Sequence, residues 1–261
     1  MAGLLGIEDL DRADIEAILG RAKDFQASTP RDSLRGKLIL NLFSGTSFET
    51  AAKRLGAEVV SREQSLVDTV STFAAMRPDA IVVGHPASGA AHFLARRLPI
   101  PIINAGDGMH ENPAQALADA RAILDRRPKL DGLRVAIIGD IAYSGAARSN
   151  AHLFSKFGGE VVLCGPAPLL PADLQGIAPG ITLAHDIGKA IEGADVIITL
   201  DVQLDRRHET PFPADDYSRF YELRTDLLAL ARPDVIVLNA EKSDEVRMAA
   251  LEWTISGATL N

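Results

Sequence analysis

The chain has 261 residues, 47% hydrophobic and 24% charged, a globular balance with length for one large or two ordinary α/β domains. Its net charge is −8, it has no Lys/Arg cluster longer than a pair, and only 5% of its residues are aromatic. That excludes nucleic acid as the main partner, since neither a basic face nor a stacking platform can be built, and it disfavours a strongly anionic substrate.

In chain order, the first residues, Met1–Asp9, carry no basic stretch before their apolar patch, so no signal peptide is expected. No apolar run approaches the roughly 20 residues of a membrane helix, and no membrane partner is expected. Apolar spacing predicts a first helix over Ile7–Phe25, with Asp9 or Asp14 as its cap. Predicted strands are Lys37–Phe43, Glu58–Val60, Asp79–Val83, Ile100–Asn104, Arg134–Gly139, Glu160–Cys164, Ile181–Ala184, Val196–Leu200 and Val235–Leu238. Predicted helices between them are Glu49–Leu55, Ser65–Met76, Ser88–Leu98, Pro113–Leu124, Ala146–Phe157 and Asp186–Glu192. Continuous Val/Ile/Leu strands alternating with amphipathic helices mean parallel sheets covered on both faces. The polar stretch Asp125–Gly132 is the expected boundary between two such lobes, and the carboxyl ends of their strands are where a ligand cleft is expected. The single cysteine, Cys164, cannot form an internal disulfide and fits a reducing cytoplasm; ending an apolar run, it reads as a small buried hydrophobe.

Four places carry polar residues where chemistry is expected. Ser44 and Thr46 lie in the turn between the first strand and a helix, and such a helix start can hold an anion. His85 follows a buried strand and reads as a general base or as a hydrogen-bonded loop residue. In Gly106–Asp119, Asn112 is a good N-cap, Pro113 fits the first helical turn, and Gln115 lies within that turn, a position from which its amide can face the cleft. Asp140 and Asp201 each follow a buried strand, leaving a pair of acids for acid/base work open. Gly139 and Gly145 do not make a dinucleotide fingerprint, and His92, His152, His185 and His208 show no metal-ligand spacing. No cofactor and no metal are expected.

Taken together, these pieces resemble the aspartate carbamoyltransferase family over nearly the whole chain. The resemblance is carried by Thr46-Ser-Phe-Glu-Thr-Ala-Ala-Lys-Arg-Leu-Gly-Ala57, Ser65-Leu-Val-Asp-Thr69, His85-Pro-Ala-Ser-Gly-Ala90, Ile103-Asn-Ala-Gly-Asp-Gly108 and Asn112-Pro-Ala-Gln-Ala-Leu117. Val135-Ala-Ile-Ile-Gly-Asp140, Ala147-Arg-Ser149, Val202-Gln203 and Val246-Arg-Met-Ala249 complete it. It implies an α/β fold of two lobes, each a parallel sheet flanked by helices. Residues 1–127 correspond to a carbamoyl-phosphate-binding lobe, with the helix 244–261 packing back on it, and residues 128–243 to an aspartate-binding lobe. It also implies a homotrimer with sites between subunits.

The departures from the family pattern fall on the chemistry. Where the family has a Ser-Thr-Arg-Thr-Arg phosphate loop, only Ser44 and Gly45 separate Phe43 from Thr46. Gly84 replaces an arginine before His-Pro, Asn112 the catalytic histidine, Gly145 a second arginine, and Asp201 the arginine before Val-Gln. The loop with the substrate-binding lysine is reduced to Ser61–Gln64, and the late His-Pro-x-Pro loop is missing between Asn239 and Glu245. Gln115 and Gln203 remain. The expectation is therefore a cytoplasmic transcarbamoylase-fold pseudoenzyme, acting as a trimeric scaffold or as a regulatory partner of an active pyrimidine-pathway enzyme. Two alternatives stay open: an enzyme of changed chemistry on a less anionic small molecule, and a residual aspartate carbamoyltransferase.

Overall fold

The structure, a computed structural model, describes residues 3–61, 75–200 and 214–256. The chain forms two compact units, residues 1–121 with 242–261, and residues 122–241. The predicted helix Ser65–Met76 falls almost wholly outside the described residues.

In the first unit, α1 (Arg12–Ala27) is followed by β1 (Leu38–Leu42), α2 (Ser47–Arg54), β2 (Glu58–Ser61), β3 (Ala80–His85), α3 (Ala90–Ala95), β4 (Ile102–Asp107) and α4 (Pro113–Leu124). The sheet is entirely parallel, in the order β2-β1-β3-β4. Its strands are apolar because both faces are covered: Leu40, Ile81, Val83 and Ile102 pack with Ala91, Leu94 and Leu98 on one side. Each buried aliphatic side chain of this kind contributes about 1.5–3 kcal/mol. The apolar N-terminal patch lies at the open edge, where Leu4 bridges Ile103 and, like Ile7, is fully buried. This shields an edge strand that would otherwise pair with other chains.

Helix α1 begins later than its apolar spacing predicts, and its cap is neither Asp9 nor Asp14. Asp11 is the N-cap: its carboxylate accepts from the Asp14 N–H (2.8 Å), and the Asp14 carboxylate accepts from the Asp11 N–H (3.2 Å). Only this pair has the i, i+3 spacing of a reciprocal capping box with the helix start between them.

In the second unit, β5 (Arg134–Ile138), α5 (Gly145–Lys156), β6 (Glu160–Cys164), β7 (Ile181–Ala184), α6 (Ile187–Ile191), β8 (Val196–Thr199), α7 (Ala214–Tyr221) and β9 (Ile236–Leu238) build a second parallel sheet, ordered β7-β6-β5-β8-β9. Helix α7 has no counterpart among the predicted helices, because eight residues give too short a window for a helical period to stand out. The final helix, α8 (Asp244–Ser256), returns to the first unit and packs on α1 and α2. There Arg21 makes a two-point ion pair with the buried Glu252 (Nη2–Oε1 3.1 Å) and lies over the Phe25 ring.

All nine predicted strands are present, with end shifts of at most three residues. In both sheets the strand order reverses beside the first strand, between β1 and β3 and between β5 and β8. Such switch points open a crevice at the carboxyl ends of the strands, the usual place for ligands in this architecture.

Candidate functional site

In the first unit the switch point is lined by the ends of β1 and β3. Asn41, buried on β1, fixes its own strand end: its Nδ2 donates to the Phe43 carbonyl (3.1 Å) and its Oδ1 accepts from the Phe43 N–H (3.3 Å). The turn that follows is short, so Ser44 and Thr46 are exposed at the start of α2. Thr46 has helical backbone angles and makes no side-chain cap bond. Glu49, in the first turn, is held below the usual carboxylate range by Lys53 and then by Ser61.

Phe43 decides the shape of this end. Its ring occupies the place a Cβ would take on Gly84 and also the place a Cβ would take on Gly45. Gly84 lies where the register of β3 against β4 shifts, between Val83 and His85. Position 84 therefore tolerates no side chain unless the ring moves. His85 beside it accepts the Ala87 N–H at Nδ1 (3.0 Å), which places the ring proton on Nε2. That bond fulfils the loop role that the sequence left open and uses one of the two nitrogens.

The end of β4 is organised by Asp107, whose side chain is fully buried. It accepts from the Gly89 N–H (2.9 Å), the Glu111 N–H (3.1 Å) and Asn104 Nδ2 (2.9 Å). Asn112 then caps α4, its Oδ1 accepting from the Gln115 N–H (3.3 Å), as its sequence predicts. Gln115 pairs within its own helix. Its Nε2 donates along the helix to the buried Asp119 (2.9 Å), because an i, i+4 carboxylate lies in reach of the amide. The three loops, residues 43–46, 84–89 and 106–112, contain no Lys or Arg.

In the second unit, Gly139 follows β5 at φ +141°, and a Cβ there would stand 2.8 Å from Leu200 Cβ and from the Leu200 carbonyl. Glycine is needed for that close approach of β5 to the end of β8. Asp140 comes next and is buried. Ser144 caps α5, accepting from the Ala147 N–H (3.1 Å), and Gly145 is the buried first residue of that helix. Burial, then the nearby Cys164 and Asp140, raise the Tyr217 phenol well above its ordinary value. Asp201 and Gln203 lie outside the described residues. A separate open pocket near α7, lined by His185, Asp186, Arg219, Tyr221 and Arg224 among others, includes none of the predicted site residues.

Among the described residues, the structure thus brings Ser44, Thr46, Gly84 and His85 to one switch point, sets Asn112 and Gln115 at the next helix start, and places Asp140 and Gly145 on the other unit. Sequence reasoning missed Phe43 as the residue that fills the first switch point, and missed Asp107 as the hub of the loop after β4. The adjacency of β1 and β3 is needed to see the first; the run of donors around Asn104 and Glu111 is needed to see the second.

Residues 3–125 match the carbamoyl-P binding domain of aspartate/ornithine carbamoyltransferases, and residues 131–250 match the Asp/Orn binding domain. The chain is 60% identical over 258 residues to the aspartate carbamoyltransferase catalytic subunit of Solibacter usitatus, covering 91% of this chain and 85% of that one. It is 43% identical over 251 residues to the subunit of the same name from Koribacter versatilis, covering 90% and 83%. Aspartate transcarbamoylase from Trypanosoma cruzi, solved with phosphate, superposes with a TM-score of 0.80 at 26% identity, over 96% of this chain and 94% of that one. Ornithine carbamoyltransferase from Pyrococcus furiosus shares the fold, with a TM-score of 0.81 at 23% identity over 98% and 97%. By these matches along both units, the chain belongs to the aspartate/ornithine carbamoyltransferase family.

Proposed function

We propose that this chain keeps the family's two lobes without its transfer chemistry: a homotrimeric transcarbamoylase-fold pseudoenzyme of the cytoplasm, acting as a scaffold or as a regulatory partner of an active pyrimidine-pathway enzyme. On this reading residues 1–127 descend from the carbamoyl-phosphate lobe and residues 128–243 from the aspartate lobe. The observation that carries it is Phe43, whose ring fills the place where the family resemblance puts an arginine side chain, at Gly84.

The electrostatics point the same way. Carbamoyl phosphate and aspartate bring several negative charges into one transition state. The resemblance assigns cationic groups to the lost phosphate loop, the lost lysine loop and positions 84, 145 and 201. Each charge-assisted hydrogen bond is worth about 1.5–3 kcal/mol. Even heavily discounted for non-additivity, their loss amounts to a rate penalty of many decades, at about 1.4 kcal/mol per decade. An aspartate at 201 adds repulsion.

One observation favours a second reading. The relatives are named as catalytic subunits, one at 60% identity, and by name alone they support residual aspartate carbamoyltransferase activity better than its loss. The two readings separate on turnover. Purified protein at saturating carbamoyl phosphate and aspartate is expected to form no carbamoyl aspartate above background. Robust turnover that tracks the protein through purification and is lost on replacing Gln115 would establish the second reading instead.

A further inference from the structure

Away from Phe43 and Gly84, the loop after β4 gathers side chains that the proposed function does not use. One ring nitrogen of His92 on α3, one of His110 and one carboxylate oxygen of Asp107 lie within 4.8 Å of one another. We propose that these three residues bind a single divalent cation of the zinc class, with Asp9 as the positioning residue that orients His92.

The donor set is two imidazoles and one carboxylate, which suits a borderline ion such as Zn²⁺ and leaves a fourth position for water. His92 is already poised as a ligand. Its Nε2 is 3.0 Å from Asp9 Oδ2, so the ring proton is held there and Nδ1 carries the lone pair. That Nδ1 is buried and has no hydrogen-bond partner among the described residues. A histidine that gives its second nitrogen to a carboxylate while the first stays available is the usual arrangement behind a metal ligand. A buried acceptor left without a donor is otherwise costly.

Asp107 supplies a fixed oxygen. The Gly89 and Glu111 N–H groups and Asn104 Nδ2 hold its carboxylate, so no ordering remains to be done there on binding. His110 Nδ1 lies 3.2 and 3.3 Å from the two oxygens of Asp107. A cation bound at His110 Nδ1 takes the place of the N–H that now faces Asp107, and the neutral ring then carries its one proton on Nε2. The two rings meet edge to face, with centroids 5.1 Å apart. Tetrahedral ligands at zinc distances stand about 3.3 Å apart, so ring rotations and small shifts close the site. The side chains of His92 and His110 are 26% and 31% exposed, which gives an ion a path in.

The test uses the full chain, stripped with a chelator and dialysed, with Zn²⁺ followed by calorimetry and Co²⁺ by its visible absorption. One ion per chain is expected, with the intense absorption of a four-coordinate Co²⁺ site. His92→Gln and His110→Gln are each expected to weaken binding by at least about tenfold, and Asp9→Asn to weaken it about tenfold with the stoichiometry kept. His185→Gln, whose ring faces the Gly165 carbonyl in the other unit, is expected to change nothing. Circular dichroism checks folding; Asp9→Asn alters an exposed side chain, so it decides the matter should a ligand variant fail to fold. No binding at sub-millimolar Zn²⁺, or binding indifferent to His92, His110 and Asp9, overturns the proposal.

Discussion

Replacing Gly84 by arginine probes the position on which the proposed loss of transfer chemistry rests most directly. The backbone at Gly84 has no positive φ, so the substitution meets no conformational barrier of the glycine kind. The obstacle is the Phe43 ring, which stands where the new Cβ must go. Phe43 is half-buried, so it yields by swinging toward solvent rather than by forcing the core apart. Giving up part of its burial, or straining the new side chain, costs about 1–2 kcal/mol. In a Phe43→Ala background the place is already empty, and Gly84→Arg should cost less than about 0.5 kcal/mol, a coupling of order 1 kcal/mol between the two positions. Urea unfolding followed by the fluorescence of Trp253, the single tryptophan and buried on α8 in the same unit, reads this cycle directly. Neither Gly84→Arg nor the double variant should form carbamoyl aspartate, since the phosphate loop is still absent. Equal costs in both backgrounds would refute the role given to Phe43, and recovered transfer in either would show that the missing loop is dispensable.

The remaining predictions concern single groups. Arg21→Ala leaves the buried carboxylate of Glu252 without its partner and should destabilise the first unit by about 2–3 kcal/mol, less than a fully buried pair because Arg21 is partly exposed; Glu252→Gln should cost less, and urea titration checks both. Asp79 is pushed upward by burial, but the Leu38 N–H and Lys37 outweigh that, and its folded pKa lies below its ordinary value of 3.8. Its contribution is therefore complete above that value and is lost as pH falls through the lower folded pKa, so Asp79→Asn should lower stability at neutral pH and flatten the acid limb of a stability–pH curve. Burial, then the nearby Asp186, push the Cys164 thiol up to about 12, so it should resist iodoacetamide at pH 8 in the folded protein and react only on unfolding.

Strands were the legible part of the sequence. Runs such as Val161–Leu163 and Val196–Ile198 are apolar on both faces only when helices cover both sides of a sheet, so they identify themselves without partners. The parallel two-lobe fold follows from their alternation with helices. Caps were less legible: Asp9, Asp11 and Asp14 are chemically equivalent, and only the reciprocal geometry of Asp11 and Asp14 selects the pair while Asp9 turns to His92. The bond from Gln115 Nε2 to Asp119 one turn on was not legible either, since the motif position of Gln115 draws attention to the cleft and not to its own helix. The largest gap lies in long-range juxtapositions. Phe43 and Gly84 meet because β1 and β3 are neighbours, and His92 meets Asp107 and His110 because α3 lies beside the loop after β4. Neither pairing has any periodic trace in the chain.

The pseudoenzyme account stands most directly on one titration, carbamoyl phosphate into the purified chain by calorimetry at low ionic strength. With no Lys or Arg in the loops at the ends of β1, β3 and β4, the account predicts no binding heat at micromolar to sub-millimolar ligand, and the same result for a bisubstrate analogue. Stoichiometric micromolar binding that weakens with added salt would contradict it, and would return the chain to the catalysts of its family.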